Sequence, residues 1–347
     1  MKIDPIYLPN ERYLHLMTPH IEACRESLLQ IMVLLEGTLT QPLGLTYDLR
    51  SLLRTMDNGQ SFADRVPEGN ANNPRNRRMR TTLDRALEAA ALGEQHVAHL
   101  LALDKLDNDW GSKAMKILPR VKDRLGLELR RSISKKIKGL YVLLDPTYLK
   151  QDILGAAKKI LSGGATTLQW RAKNIDKGDQ LETCRRLMDL CNQTDSLLII
   201  NDHPDLALAC GAHGVHLGQH DLSIPDARRI LTPTQITGKS NATMDEALES
   251  ESDGADYLAV GAIFPTTSKN NTRHAGIEIL KEVRSSTSLP IVAISGINEA
   301  NVEEVIFAGA DCIAVISAVI TEDDPGEATR RLNERIQTAL IKRMPNE

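Results

Sequence analysis

The 347-residue sequence predicts an eight-stranded (β/α) barrel preceded by a small all-α domain. Three observations carry this. Up to about Lys138 the apolar residues recur at helical spacing, whereas from Gly139 short apolar runs alternate with amphipathic stretches of helix length. Eight such pairs fit into the 209 residues of 139–347, within the range of a closed (β/α)8 TIM barrel. The first apolar run ends in Leu143-Leu144-Asp145-Pro146, without the glycine-rich turn that opens a doubly wound dinucleotide fold.

The elements follow in order. Ile21, Cys24, Leu28, Ile31, Met32 and Leu35 place a helix over 20–35, with Gly37 as its stop. The stretch 58–80, rich in Asn, Gly, Pro and Arg, reads as a polar loop. Leu83, Ala86, Leu87, Ala90, Ala91 and Leu100 mark a second helix over 81–103, and a third covers 112–125. These define 1–129 as a helical N-terminal domain, to which the sequence assigns no role. Residues 130–138 (RRSISKKIK) read as a solvated basic linker. The barrel domain is 139–347. Its strands fall at 140–144, 167–170, 197–200, 214–217, 236–237, 257–260, 291–294 and 312–315. Its helices fall at 153–161, 180–192, 205–210, 225–231, 244–252, 276–285, 300–308 and 325–341.

Composition narrows the function classes. The net charge of −4 divides into +5 over 1–138 and −9 over 139–347. Neither balance suits a polyanion-binding domain, and with 3% aromatic residues no base-stacking platform is expected around Arg75–Arg80. No apolar run approaches the ~20 residues of a membrane span. The charged N-terminus does not read as a signal peptide. The five cysteines (Cys24, Cys184, Cys191, Cys210, Cys312) include no CxxC pair. That pattern fits reduced thiols and a cytoplasmic location. A homo-oligomer is compatible with all of this.

In a barrel, residues at the C-terminal ends of the strands converge on one mouth. Gln169, Arg171 and Lys173 alternate with Trp170 and Ala172, so they share a face. Strand three ends in Asn201-Asp202 and strand four in His216-Leu217-Gly218-Gln219-His220-Asp221. Strand five closes with Lys239-Ser240, and strand six runs into Pro265-Thr266-Thr267-Ser268-Lys269. Strands seven and eight end in Ser295-Gly296 and Ile316-Ser317. Converging cations, hydroxyls and backbone N–H groups suit phosphate, and the ends of the last two strands are a frequent phosphate position in this architecture. Arg171, Lys173 and Lys269 face two carboxylates, Asp202 and Asp221. A bound diphosphate ester of about −3 then leaves an excess of roughly two negative charges. One Mg2+ would offset it, and that ion characteristically takes one or two carboxylates together with phosphate oxygens and water. No Ser-His-Asp or Cys-His unit is expected in the mouth.

Taken together, Gln169-x-Arg171-x-Lys173, Asn201-Asp202, HGVHLGQxD (213–221), Gly238-x-Ser240, Gly254-Ala255-Asp256-Tyr257, Pro265-Thr266-x-Ser268-Lys269, Gly296-Ile297 and Ile316-Ser317 resemble the thiamine-phosphate synthase (thiamine-phosphate pyrophosphorylase) family, collinearly from about Gly139 to the end. The resemblance implies a transferase. It joins 4-amino-2-methyl-5-hydroxymethylpyrimidine diphosphate to 4-methyl-5-(2-phosphoethyl)thiazole, or its carboxylated tautomer, and yields thiamine phosphate and diphosphate. It further implies that Gln169, Arg171, Lys173, Asn201, Ser240 and Lys269 hold the pyrimidine diphosphate, and that Asp202 and Asp221 bind Mg2+. Thr266, Thr267, Ser268, Gly296, Ile316 and Ser317 would hold the thiazole phosphate. Among these, Arg171, Lys173, Ser240 and Lys269 would be catalytic. The family often carries Gly where Ser295 stands, an acid at Ala172 and His at Ala242. A thiazole tautomerase-like barrel and a non-catalytic phosphate-ligand sensor are the alternatives, and release of diphosphate separates both from a synthase.

Overall fold

The computed structural model describes residues 76–102, 108–265 and 273–343, and the chain divides into two compact units, Met1–Leu129 and Arg130–Glu347. The expected helix over 20–35 and the loop residues 58–75 lie outside the described residues. In the first unit, α1 (Asn76–Ala102) starts inside the stretch read as loop, because Arg and Met are good helix formers whatever their polarity. Helix α2 (Asn108–Ser134) runs beyond both expected ends. It buries Ala114, Leu118, Val121, Leu125 and Leu129 at three- and four-residue spacing, while α1 buries Ala86, Ala89, Ala90 and Val97. Lys122 of α2 pairs with Glu94 of α1 at 2.5 Å.

The second unit begins in the last turn of α2, and here residues 130–138 are not a solvated linker. Ile133, in the last turn of α2, and Ile137, just past the turn that follows it, join the cluster formed by Leu197, Ile236 and Cys312 from the first residues of β3, β5 and β8. They close the N-terminal end of the barrel. The basic residues beside them are paired: Arg130 binds Asp256 at 3.2 Å and Lys136 binds Asp195 at 2.5 Å. Basic composition concealed two apolar anchors.

The strands are β1 (Gly139–Leu144), β2 (Thr167–Trp170), β3 (Leu197–Asn201), β4 (Gly214–Leu217), β5 (Ile236–Asn241), β6 (Tyr257–Val260), β7 (Ile291–Ile294) and β8 (Cys312–Val315). Each pairs in parallel with its neighbours, and β1 pairs with β8, so the sheet closes. Helices α3 (Ile153–Ser162), α4 (Lys177–Gln193), α5 (Pro204–Ala209), α6 (Ile224–Ile230), α7 (Met244–Ser252), α8 (Gly276–Ser286), α9 (Val302–Phe307) and α11 (Pro325–Arg343) alternate with the strands. A one-turn helix, α10 (Ser317–Ile320), follows β8 and has no counterpart in the sequence reading. Its four residues are too few to show a helical period. Among the described residues no helix is long and apolar enough to cross a membrane.

Two-residue alternation sorts every strand. Leu140, Val142, Leu168, Trp170, Leu198, Ile200, Val215 and Leu258 belong to the large cluster that includes the helices. Tyr141, Leu143, Ile199, Tyr257, Ala259, Val292 and Ala314 fill the interior. The same alternation, continued upward, carries the interior face from Thr167 to Gln169, Arg171 and Lys173, from Ile199 to Asn201, and from Ile236 to Gly238 and Ser240. The expected site residues are therefore the top layer of the barrel's interior stack.

Candidate active site

At the mouth, β2 delivers Gln169, Arg171 and Lys173, β3 delivers Asn201 and Asp202, the turn after β4 delivers Asp221, and β5 delivers Ser240. All seven line one cavity of about 200 Å3, together with Tyr141, His216 and Gln219. Arg171 is held by an ion pair with the buried Asp145, which follows β1 and also accepts the Thr147 N–H at 2.9 Å. Lys173, more exposed, lies 3.5 Å from Asp202.

Asp202 sits at φ +63°, a left-handed conformation that Asp tolerates better than most residues. Its N–H donates to the His216 carbonyl at 2.8 Å, which fixes the turn out of β3. Asp221 is fixed independently: its Oδ2 accepts the Gly218 N–H at 2.6 Å. Burial, with the Asp221 carboxylate within hydrogen-bond reach, raises the Asp202 carboxyl above its ordinary pKa although Lys173 opposes the shift. Two carboxylates from different strands thus meet where mutual repulsion has to be offset by a proton or a cation. Among the described residues no cluster of three or more metal-ligating side chains forms. The pair therefore suits a hard divalent ion that completes its shell with phosphate oxygens and water.

Beneath this layer lies a polar chain that the sequence reading did not foresee. Gln169 Nε2 donates to the Tyr141 hydroxyl at 2.6 Å, which lies 3.3 Å from the Tyr257 hydroxyl. The Tyr257 hydroxyl is 3.1 Å from His216 Nδ1, and His216 Nε2 is 2.9 Å from Ser240 Oγ. Gln219 Nε2 donates to the Ser240 carbonyl. Strands β1, β2, β4, β5 and β6 are thereby tied together across the interior. The Ser240–His216 contact thus continues to a phenol, that of Tyr257. Burial raises the Tyr257 pKa well above its ordinary value, so that phenol stays protonated. Gly238 makes the arrangement possible: a Cβ there would lie 2.0 Å from the Tyr257 ring.

A second cavity, of about 610 Å3, opens between β7 and β8 and is lined by Pro265, Ser295, Gly296, Ile297, Ile316 and Ser317 among others. It shares Ile294 and Ala314 with the first cavity, so the two adjoin. Gly296, at φ +69°, packs so closely that a Cβ would meet Phe264 Cβ at 2.6 Å. Thr266, Thr267, Ser268 and Lys269 lie outside the described residues. The segment's flanks are anchored: the Ala262 N–H donates to the Arg273 carbonyl at 2.9 Å, and Arg273 pairs with Glu246 at the start of α7. Asp256, from the Gly254-Ala255-Asp256 motif, lies just before β6, away from the strands' C-terminal ends. It accepts the Thr237 N–H at 2.8 Å and pairs with Arg228 and Arg130, so its role is structural.

A closed parallel barrel with this rim is a (β/α)8 protein whose mouth suits phosphate esters. A family model described as thiamine monophosphate synthase matches residues 140–319. Thiamine-phosphate synthase of Moorella thermoacetica is 46% identical over 183 residues, covering 52% of this chain and 87% of that one. The Pyrococcus horikoshii enzyme of the same name is 41% identical over 209 residues, covering 60% and 99%. Among solved structures, thiamine phosphate pyrophosphorylase from Pyrococcus furiosus superposes with a TM-score of 0.56 at 39% identity, covering 60% of this chain and 99% of that one. The chain belongs to the thiamine monophosphate synthase family.

Proposed function

We propose that the barrel joins 4-amino-2-methyl-5-hydroxymethylpyrimidine diphosphate to thiazole phosphate, giving thiamine phosphate and diphosphate. The observation that carries this reading is the pair of adjoining cavities. One is lined by cations and two facing carboxylates. The other is lined by the hydroxyl residues Ser295, Ser317 and Thr321 and by the Gly296 turn, at the ends of β7 and β8. Gln169, Arg171, Lys173, Asn201, Ser240 and Lys269 hold the diphosphate substrate. Gly296, Ile316 and Ser317, with Thr266, Thr267 and Ser268, hold the thiazole phosphate. Asp202 and Asp221 are the ligands for Mg2+, which when bound neutralises charge on the diphosphate oxygens.

The chemistry is a dissociative substitution. The bond from the pyrimidine methylene carbon to the diphosphate oxygen breaks, and its electron pair leaves with the diphosphate. The aminopyrimidine ring spreads the resulting positive charge. The thiazole nitrogen then attacks the methylene carbon with its lone pair, forming the C–N bond without any proton transfer to that nitrogen. No protein nucleophile takes part. The chain's work is to neutralise the leaving group and to hold the nitrogen against the carbon. Asp145 sharpens this account, because its pairing with Arg171 adds a negative charge to the site beyond those the sequence reading weighed.

The two phosphate substrates, mixed with the full chain and Mg2+, are expected to yield diphosphate and thiamine phosphate in equal amounts, followed by 31P NMR. A tautomerase or a ligand sensor releases no diphosphate under the same conditions, and that outcome would refute the reading.

A further inference from the structure

Ser295 stands at the exit of β7 with φ +82°, a conformation that an L side chain adopts only with strain. The turn around it is held from several sides. The Ile263 N–H donates to the Ile294 carbonyl at 3.0 Å, and the Phe264 N–H donates to the Ser295 carbonyl at 3.1 Å. Asn301 Nδ2 donates to the Gly296 carbonyl at 2.9 Å. These bonds determine the backbone, and glycine would meet them without a Cβ penalty. A serine is nevertheless present. Its side chain is half-buried in the wall of the 610 Å3 cavity beside Gly296 and Ser317, and its hydroxyl has no hydrogen-bond partner among the described residues. Strained residues persist where the surrounding structure fixes them and the strain serves a site.

We propose that Ser295 determines affinity for the acceptor: its hydroxyl donates a hydrogen bond to the phosphate of the thiazole substrate. This rests on the reading of the second cavity as the thiazole phosphate site. A hydroxyl adds a donor without adding charge, which matters here because the described residues lining this cavity include no Lys or Arg. Glu322, which also lines the cavity, adds a negative charge there.

Two variants separate the hydroxyl from the backbone. Ser295→Gly removes the hydroxyl and the strain together, whereas Ser295→Ala removes the hydroxyl and keeps the Cβ at positive φ. Calorimetric binding of thiazole phosphate to the full chain is expected to weaken roughly tenfold in both, the scale of one hydrogen bond to a charged group. KM for the acceptor rises in step, while KM for the pyrimidine diphosphate stays near its wild-type value. Over the same comparison Ser295→Gly raises Tm by roughly 2–4 °C, a gain in stability alongside a loss of affinity that a purely structural residue does not give. Unchanged or tighter binding in either variant would overturn the assignment. Ser295-dependent binding in a chain that releases no diphosphate would instead overturn the proposed reaction and leave the role of Ser295 standing. Failure of the wild-type chain to bind thiazole phosphate would overturn both.

Discussion

Asp202→Asn is expected to lower diphosphate release about a thousandfold, equivalent to ~4 kcal/mol of barrier, with the barrel still folded. The substitution removes one of the two carboxylates that meet at the mouth, yet it keeps a side chain of the same shape. Asn also tolerates the left-handed conformation that position 202 requires, at φ +63°. The N–H of residue 202 still reaches the His216 carbonyl. A folded, inactive protein is thus the predicted result, checked by circular dichroism and by initial rates of diphosphate release. Lys269→Ala should act in the same direction for a related reason, since it removes a positive charge that the departing diphosphate needs. Near-normal rates in both purified variants would defeat the assignment of the rim to leaving-group neutralisation.

Gly238→Ala should act on the fold. The added Cβ would lie 2.0 to 2.4 Å from three atoms of the fully buried Tyr257 ring. That ring has nowhere to move without leaving the Tyr141 hydroxyl and His216. Overpacking of this kind costs about 3 kcal/mol, and a barrel of this size then loses roughly 6–12 °C in Tm. Gly178→Ala is the matching control. A Cβ at Gly178 meets nothing within 4 Å, and the residue lies in the first turn of α4. Its Tm should hold or rise slightly. Equal melting of wild type and Gly238→Ala would show that the interior has slack which the packing denies.

Much of this molecule is legible in the sequence because strands and mouth obey one alternation. A reader who places Thr167 and Gln169 on the interior face has already placed Arg171 and Lys173. The strand bounds hold to within a residue except at β5, where Gly238, Lys239 and Ser240 lack the apolar, β-branched character that marks a strand. The helices framing the barrel are readable to within two residues, apart from α4, which starts three residues early at Lys177, and the single turn of α10. Less legible is whatever depends on contacts between distant strands. Asp145 stands two residues after Leu143, so alternation places it inward, but only the fold shows that Arg171 is its partner. His216 belongs to a motif recognised in the sequence, yet its links to Ser240 and Tyr257 join β4, β5 and β6 and follow no local spacing. The burial of Ile133 and Ile137 is obscured by five flanking basic residues, and it depends on the first residues of β3, β5 and β8, far away in the chain.

In the proposed reaction Asp202 and Asp221 jointly hold the cation that neutralises the departing diphosphate. The most direct measurement is the rate of diphosphate release against free Mg2+ for the wild-type chain and for Asp221→Asn. Expected are no release in excess chelator, recovery on adding Mg2+, and a midpoint for the variant shifted upward at least about tenfold, the scale seen when a metal site loses supporting interactions. Release that continues unabated in chelator, or an identical midpoint in the two proteins, would contradict that role.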